Sequence, residues 1–183
     1  MAFENNVFRR GPVIVAVITL SYLQHMPTLS FGASSQRLAL ILHATTVDDV
    51  VEWADREIEA CDKPPIELVE ISMGRLLPEP NIIAYLSELI TDPNDSAPMR
   101  VALGLLATKI VHEDLNPESI IPSVYQLLHN EGWINDDPFI VFWSLESDLS
   151  LIRDGILGND RLPQLRSDIM DELWDIANPN KSA

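Results

Sequence analysis

Residues 46–77 read TVDDVVEWADREIEACDKPPIELVEISMGRLL, and the spacing of apolar residues in this stretch decides the fold class. Val47, Val50, Val51, Ala54, Ile58 and Cys61 recur at helical intervals, which predicts an amphipathic helix over 46–61 with one buried face. Thr46 is a natural N-cap, and Asp48 and Asp49 place negative charge where the helix dipole favours it. Asp48, Glu52, Asp55 and Glu59 follow at steps of four, three and four, so they form one row along the helix surface. Such a row is either a solvated face or an acidic edge that docks a basic partner. Trp53 flanks the apolar stripe beside this row, which makes it a candidate interface anchor; core or rim packing is the plainer role for an indole.

The helix cannot continue through Pro64-Pro65, but Pro65 is well placed to open another. Ile66, Val69, Met73 and Leu76 supply its expected inward stripe, and Pro78 and Pro80 end it. Two short amphipathic helices with a tight connection form an αα-hairpin.

Outward from this pair the pattern remains helical. Ser35–Ala44, capped by Ser34 or Ser35, is apolar all round between Leu38 and Leu42 and should be covered on more than one side. Ile82, Ile83, Leu86, Leu89 and Ile90 mark a further helix, stopped by the turn Asp92-Pro93-Asn94-Asp95. Ser96 then precedes the most hydrophobic helix, Ala97–His112, with Gly104 inside it. A mid-helix glycine costs about 1 kcal/mol relative to alanine, so close helix packing is the expected compensation. Another helix follows from near Pro122 to Gly132. Phe139–Trp143 has strand-like propensity, but its surroundings favour a buried helix running on to Gly158. A last helix covers Leu162–Ala177. Strand–helix alternation is missing and no motif recurs at a fixed period. The expectation is an all-α, compact single-domain bundle of about seven to eight helices in αα-hairpins. Residues 35–178 form the domain, 1–34 an N-terminal extension and 179–183 a tail.

Arg9-Arg10, the apolar run Pro12–Leu23 and the small residues Gly32 to Ser35 imitate a secretory signal. Glu4 lies in the basic part, and Phe31 would be a poor residue three before a cleavage point. The apolar run is shorter than the roughly 20 residues of a membrane span. A poorly structured or upstream extension (Met26 being a candidate initiator), a signal peptide and an anchor are the three readings. The first gives a cytoplasmic protein and the second an exported one.

The chain holds 28 acidic and 12 basic residues, a net charge of −16. Residues 1–45 are net +2, so the remainder carries −18. That field disfavours nucleic-acid binding, which needs a basic patch, and favours attraction to basic proteins. The single cysteine, Cys61, excludes an internal disulfide and any multi-cysteine zinc site. Its helical position predicts a buried, inert thiol.

The run from Val51 through Trp53-Ala54-Asp55 and Pro64-Pro65 to Glu70-Ile71-Ser72, together with Asp154-Gly155-Ile156-Leu157-Gly158, resembles a pattern in small, acidic, all-helical bacterial proteins. Some of these look like immunity or accessory proteins of toxin systems. The resemblance implies an all-helical fold and a protein-binding role, with no catalytic residues to carry over.

Motifs for chemistry are sparse. No two of His25, His43, His112 and His129 sit at the i, i+4 spacing of a helical metal pair. His112, Glu113 and His129 are the best candidates for a small metal-dependent site, although His at a helix end commonly serves the dipole. There is no glycine-rich phosphate loop and no Gly-x-Ser-x-Gly elbow, hence no expected cofactor. The leading expectation is a non-enzymatic protein that binds a basic partner through Asp48, Glu52, Trp53, Asp55 and Glu59. Its rivals are a metal-dependent enzyme around His112, Glu113 and His129, and a self-associating structural subunit.

Overall fold

The computed structural model describes residues 28–179. The expectations for the signal-like run, for Met26 and for most of the tail lie outside the described residues. Among those described, eight α-helices and no strand are found: α1 (Leu29–Ile41), α2 (Val47–Glu59), α3 (Ile66–Ser72), α4 (Glu79–Glu88), α5 (Ala97–Glu113), α6 (Ile121–Glu131), α7 (Val141–Arg153) and α8 (Leu162–Ala177). Short 3₁₀ turns sit at Gly74–Leu76, Pro117–Ser119 and Asn159–Arg161. None of the described helices is long and apolar enough to cross a membrane. The all-α expectation is met.

α1 is the shared wall of two cores. Leu38, Ala39 and Leu42 face a larger core built from α5, α6, α7 and α8, with Met99, Leu103, Phe139, Phe142 and Leu173 in it. Ala33 and Leu40 face a smaller core made with α2, α3 and α4, where Val50, Trp53, Leu68, Ile71 and Ile82 pack. At 100° per residue Leu40 and Leu38 point to opposite sides. A helix with two greasy faces is stable only between two partners.

α1 begins six residues before the expected boundary of the extension. Thr28 caps it, its hydroxyl accepting from Phe31 N at 3.2 Å. Ser34 and Ser35, expected to be caps, are buried inside the helix. Ser35 Oγ donates to the Phe31 carbonyl at 2.9 Å, and this back-bond satisfies its hydroxyl locally. Buried small serines let α1 run against its neighbours. At the other end His43 adopts φ 53°, and Ala44 N bonds to Ala39 O at 2.8 Å to close the last turn.

α2 starts in a capping box. Asp49 N donates to Thr46 Oγ1 at 3.2 Å, and Asp49 Oδ2 accepts from Thr46 N at 2.9 Å and from the Thr46 hydroxyl at 2.6 Å. The Thr46 hydroxyl, then its backbone N–H, hold the Asp49 carboxyl below its ordinary range. A depressed folded-state value means stabilisation that is present above the unfolded value and lost as pH falls through the folded one. Thr46→Ala should therefore cost about 1 kcal/mol at neutral pH, and its deficit against the parent should shrink below about pH 4. Urea unfolding at both pH values checks this; an equal deficit at low pH would show that Asp49 is not part of the effect.

The glycine inside α5 is explained by packing. A Cβ on Gly104 would lie 3.3 Å from Ala177 Cβ, so α5 and α8 are in close contact at this point. Gly132 ends α6 at φ 82°, with Trp133 N bonded to Leu128 O at 2.9 Å, as a left-handed C-terminal stop requires. Phe139 and Phe142 are fully buried ahead of and inside α7. Their aromatic bulk belongs to a helical core, and strand propensity is overridden by it.

Candidate functional site

α2 and α3 pack against each other across a short connection, and α2 carries every residue expected at the partner-binding face. Asp48, Glu52, Asp55 and Glu59 are all exposed and lie in one row on α2, roughly opposite Val50, Trp53 and Ala54. Among the described residues none of the four forms an ion pair. Asp55 accepts a short hydrogen bond from the Ser72 hydroxyl, which fastens the acidic row to α3.

Trp53 is not on that surface. Only 7% of it is exposed, and its indole lies against Gly32 of α1, where an added Cβ would approach Trp53 Cζ2 to 3.1 Å. The indole packs closely on the bare side of Gly32, so Trp53 belongs to the smaller core rather than to the exposed acidic face. Cys61 is also displaced from its expected place. α2 ends at Glu59, and Cys61 is exposed in the connection.

The largest correction concerns α3. Leu68 and Ile71 fill the core, whereas the expected inward stripe faces out: Ile66, Met73 and Leu76 are 63%, 68% and 98% exposed. The helix carries two apolar rows, and the inner one is selected by α2 and α4. Around α3 the order is Ser72, Val69, Met73 with Ile66, then Glu70, following from 100° per residue. The exposed stripe is therefore bordered by Asp55 through Ser72 on one side and by Glu70 on the other. Helical periodicity marks the apolar row but not the side on which it is covered.

No three His, Cys, Asp or Glu side chains among the described residues are grouped to hold a metal ion. His112 and His129 are exposed; His129 stands near the Tyr125 ring at 6.4 Å, and Glu113 lies 3.9 Å from Lys109. These three expected ligands are not brought together. An open cleft of about 560 Å³ lies at the end of α7, bounded by Glu118, Leu149, Arg153, Asn159 and Leu162. Its carboxylate is already engaged, Glu118 accepting from Arg166 at 2.8 and 2.5 Å. Burial would raise the Glu118 carboxyl, but the Arg166 hydrogen bond and charge outweigh it and hold the group below its ordinary range. On α8 Glu172 is pushed up by burial and by Asp175, Asp168 and Asp171 around it, a second concentration of negative charge.

The chain matches no family model, no curated protein and no solved structure.

Proposed function

We propose that this protein acts by binding a basic protein partner through the α2 face, in the manner of the toxin-neutralising immunity or accessory proteins of bacteria that its sequence resembles. The observation that supports this reading is the row Asp48, Glu52, Asp55 and Glu59, exposed and without a paired cation among the described residues. Four carboxylates along one helix repel one another, and an incoming cationic surface relieves that repulsion. The net charge of −16 adds long-range steering of a basic partner. The rival with a site at His112, Glu113 and His129 lacks convergent ligands.

The test is capture from a bacterial lysate on the immobilised protein, followed by affinity measurement with the recovered partner. Reversing the row (Asp48→Lys, Glu52→Lys, Asp55→Lys, Glu59→Lys) should weaken binding at least about tenfold near 0.1 M salt and flatten its salt dependence. Unchanged affinity removes the row from the interface; recovery of the protein alone ends the proposal.

A further inference from the structure

The exposed face of α3 has no role in either core. Ile66, Met73 and Leu76 are among the most exposed large apolar side chains of the described residues, and they recur at helical spacing along α3 into the turn after it. Single exposed apolar residues are ordinary, but three large ones on successive turns of one short segment are characteristic of an interaction surface. Here it adjoins the acidic row of α2, joined at the Ser72–Asp55 hydrogen bond. Helices in contact lie about 8–10 Å apart, so one incoming element spans both strips.

We propose that α2 and α3 together form a docking surface for a cationic amphipathic helix. The apolar side of that helix would cover Ile66, Met73 and Leu76, and its lysines or arginines would lie along Asp48, Glu52, Asp55 and Glu59, with Glu70 on the far border. This deepens the preceding proposal, and rests on it for the role of the acidic row. Charge complementarity decides the occupant. Residues 46–77 carry nine carboxylates against three cations, Arg56, Lys63 and Arg75. Arg56 flanks the row on α2, one turn after Glu52, without an ion pair to it among the described residues, and Lys63 and Arg75 stand just outside the two ends of α3. A second copy would bring one acidic row toward another, which opposes self-association through this face. An amphipathic helix with apolar anchors at i, i+3, i+4 and i+7 meets a strip of this kind. Its cationic residues supply the charge that the protein lacks here.

The probe is a labelled synthetic helical peptide of about 18 residues with leucines on one face and lysines on the other. Its control has the same composition scrambled so that no face forms. Fluorescence anisotropy should show the scrambled peptide binding at least tenfold more weakly. The triple variant Ile66→Ser, Met73→Ser, Leu76→Ser should lose at least tenfold in affinity for the amphipathic peptide, with an unchanged circular dichroism spectrum. Met73→Glu alone serves as a second variant and should lose severalfold. Equal binding of the two peptides, or full affinity in the triple variant, overturns the docking surface. If row reversal abolishes binding while the triple variant retains it, the acidic face survives and the apolar part fails. If the triple variant alone loses binding, the cationic occupant is overturned together with the acidic-face reading. A parent dimer in sedimentation that the triple variant dissolves would assign the face to a second copy and overturn the proposal.

Discussion

Leu40→Ala and Leu38→Ala should each cost about 3 kcal/mol and lower the urea midpoint of the whole protein, although the two side chains enter different cores. Both leucines are essentially inaccessible, one in the smaller core and one in the larger. Burying a leucine and then truncating it loses transfer energy and leaves a cavity, together about 2–5 kcal/mol. The informative part is cooperativity. α1 contributes to both cores, so loosening either face should destabilise the helix on which the other depends. Each variant should therefore unfold in one transition, the same by far-ultraviolet circular dichroism and by tryptophan fluorescence. Trp53 reports the smaller core and Trp133 the larger, so variants in which one of these two is the sole tryptophan, Trp143 and Trp174 being replaced by Phe, separate the signals. A Leu40→Ala protein in which only the Trp53 signal shifts would mean that the cores unfold independently. Leu76→Ala, on a nearly fully exposed side chain, should stay within about 0.5 kcal/mol of the parent and controls for substitution itself.

The two-sidedness of α1 could be read from the run Leu38 to Leu42, because a short helix greasy on every side needs two coverings. The acidic row was legible for a similarly local reason: its four-three-four spacing places the carboxylates together whatever the helix packs against. Trp53 was not legible. Its burial depends on Gly32, which leaves room for an indole from a helix distant in sequence, and nothing near Trp53 encodes that gap. α3 fails for another reason. Ile66, Val69, Met73 and Leu76 form one helical row, and Leu68 with Ile71 forms another. Periodicity identifies both, but the neighbours Leu86 and Ile82 decide which is inner. Cys61 continues the α2 stripe in the sequence, but the helix ends at Glu59 and leaves the thiol exposed. Element existence follows from local pattern, whereas the choice of buried face is a property of the assembly.

Glu131→Gln should destabilise the protein by about 2 kcal/mol, somewhat below the roughly 3–5 kcal/mol of a fully buried broken pair. Arg37 Nη2 donates to both oxygens of Glu131 at 2.9 Å, joining α1 to the end of α6. Each side chain is only 17% exposed, so water screens the pair weakly. Glu131 is the last residue of α6, where the helix dipole disfavours a carboxylate; the guanidinium makes that placement tolerable. Arg37 Nε is buried without a hydrogen-bond partner, which leaves Nη2 as the contact that holds the charge. Removing the carboxylate alone strands a partly buried cation, and removing the arginine alone strands an anion at the wrong end of a dipole. Replacing both, Arg37→Met with Glu131→Met, removes both desolvation costs and adds apolar volume between the helices. The double variant should therefore lie within about 1 kcal/mol of the parent. A double-mutant cycle by urea unfolding should give a coupling of about 2 kcal/mol or more, nearly unchanged by added salt. Additive losses would mean that the two side chains contribute separately through packing; a double variant as destabilised as either single would mean that the ion pair itself is the source of stability at this junction.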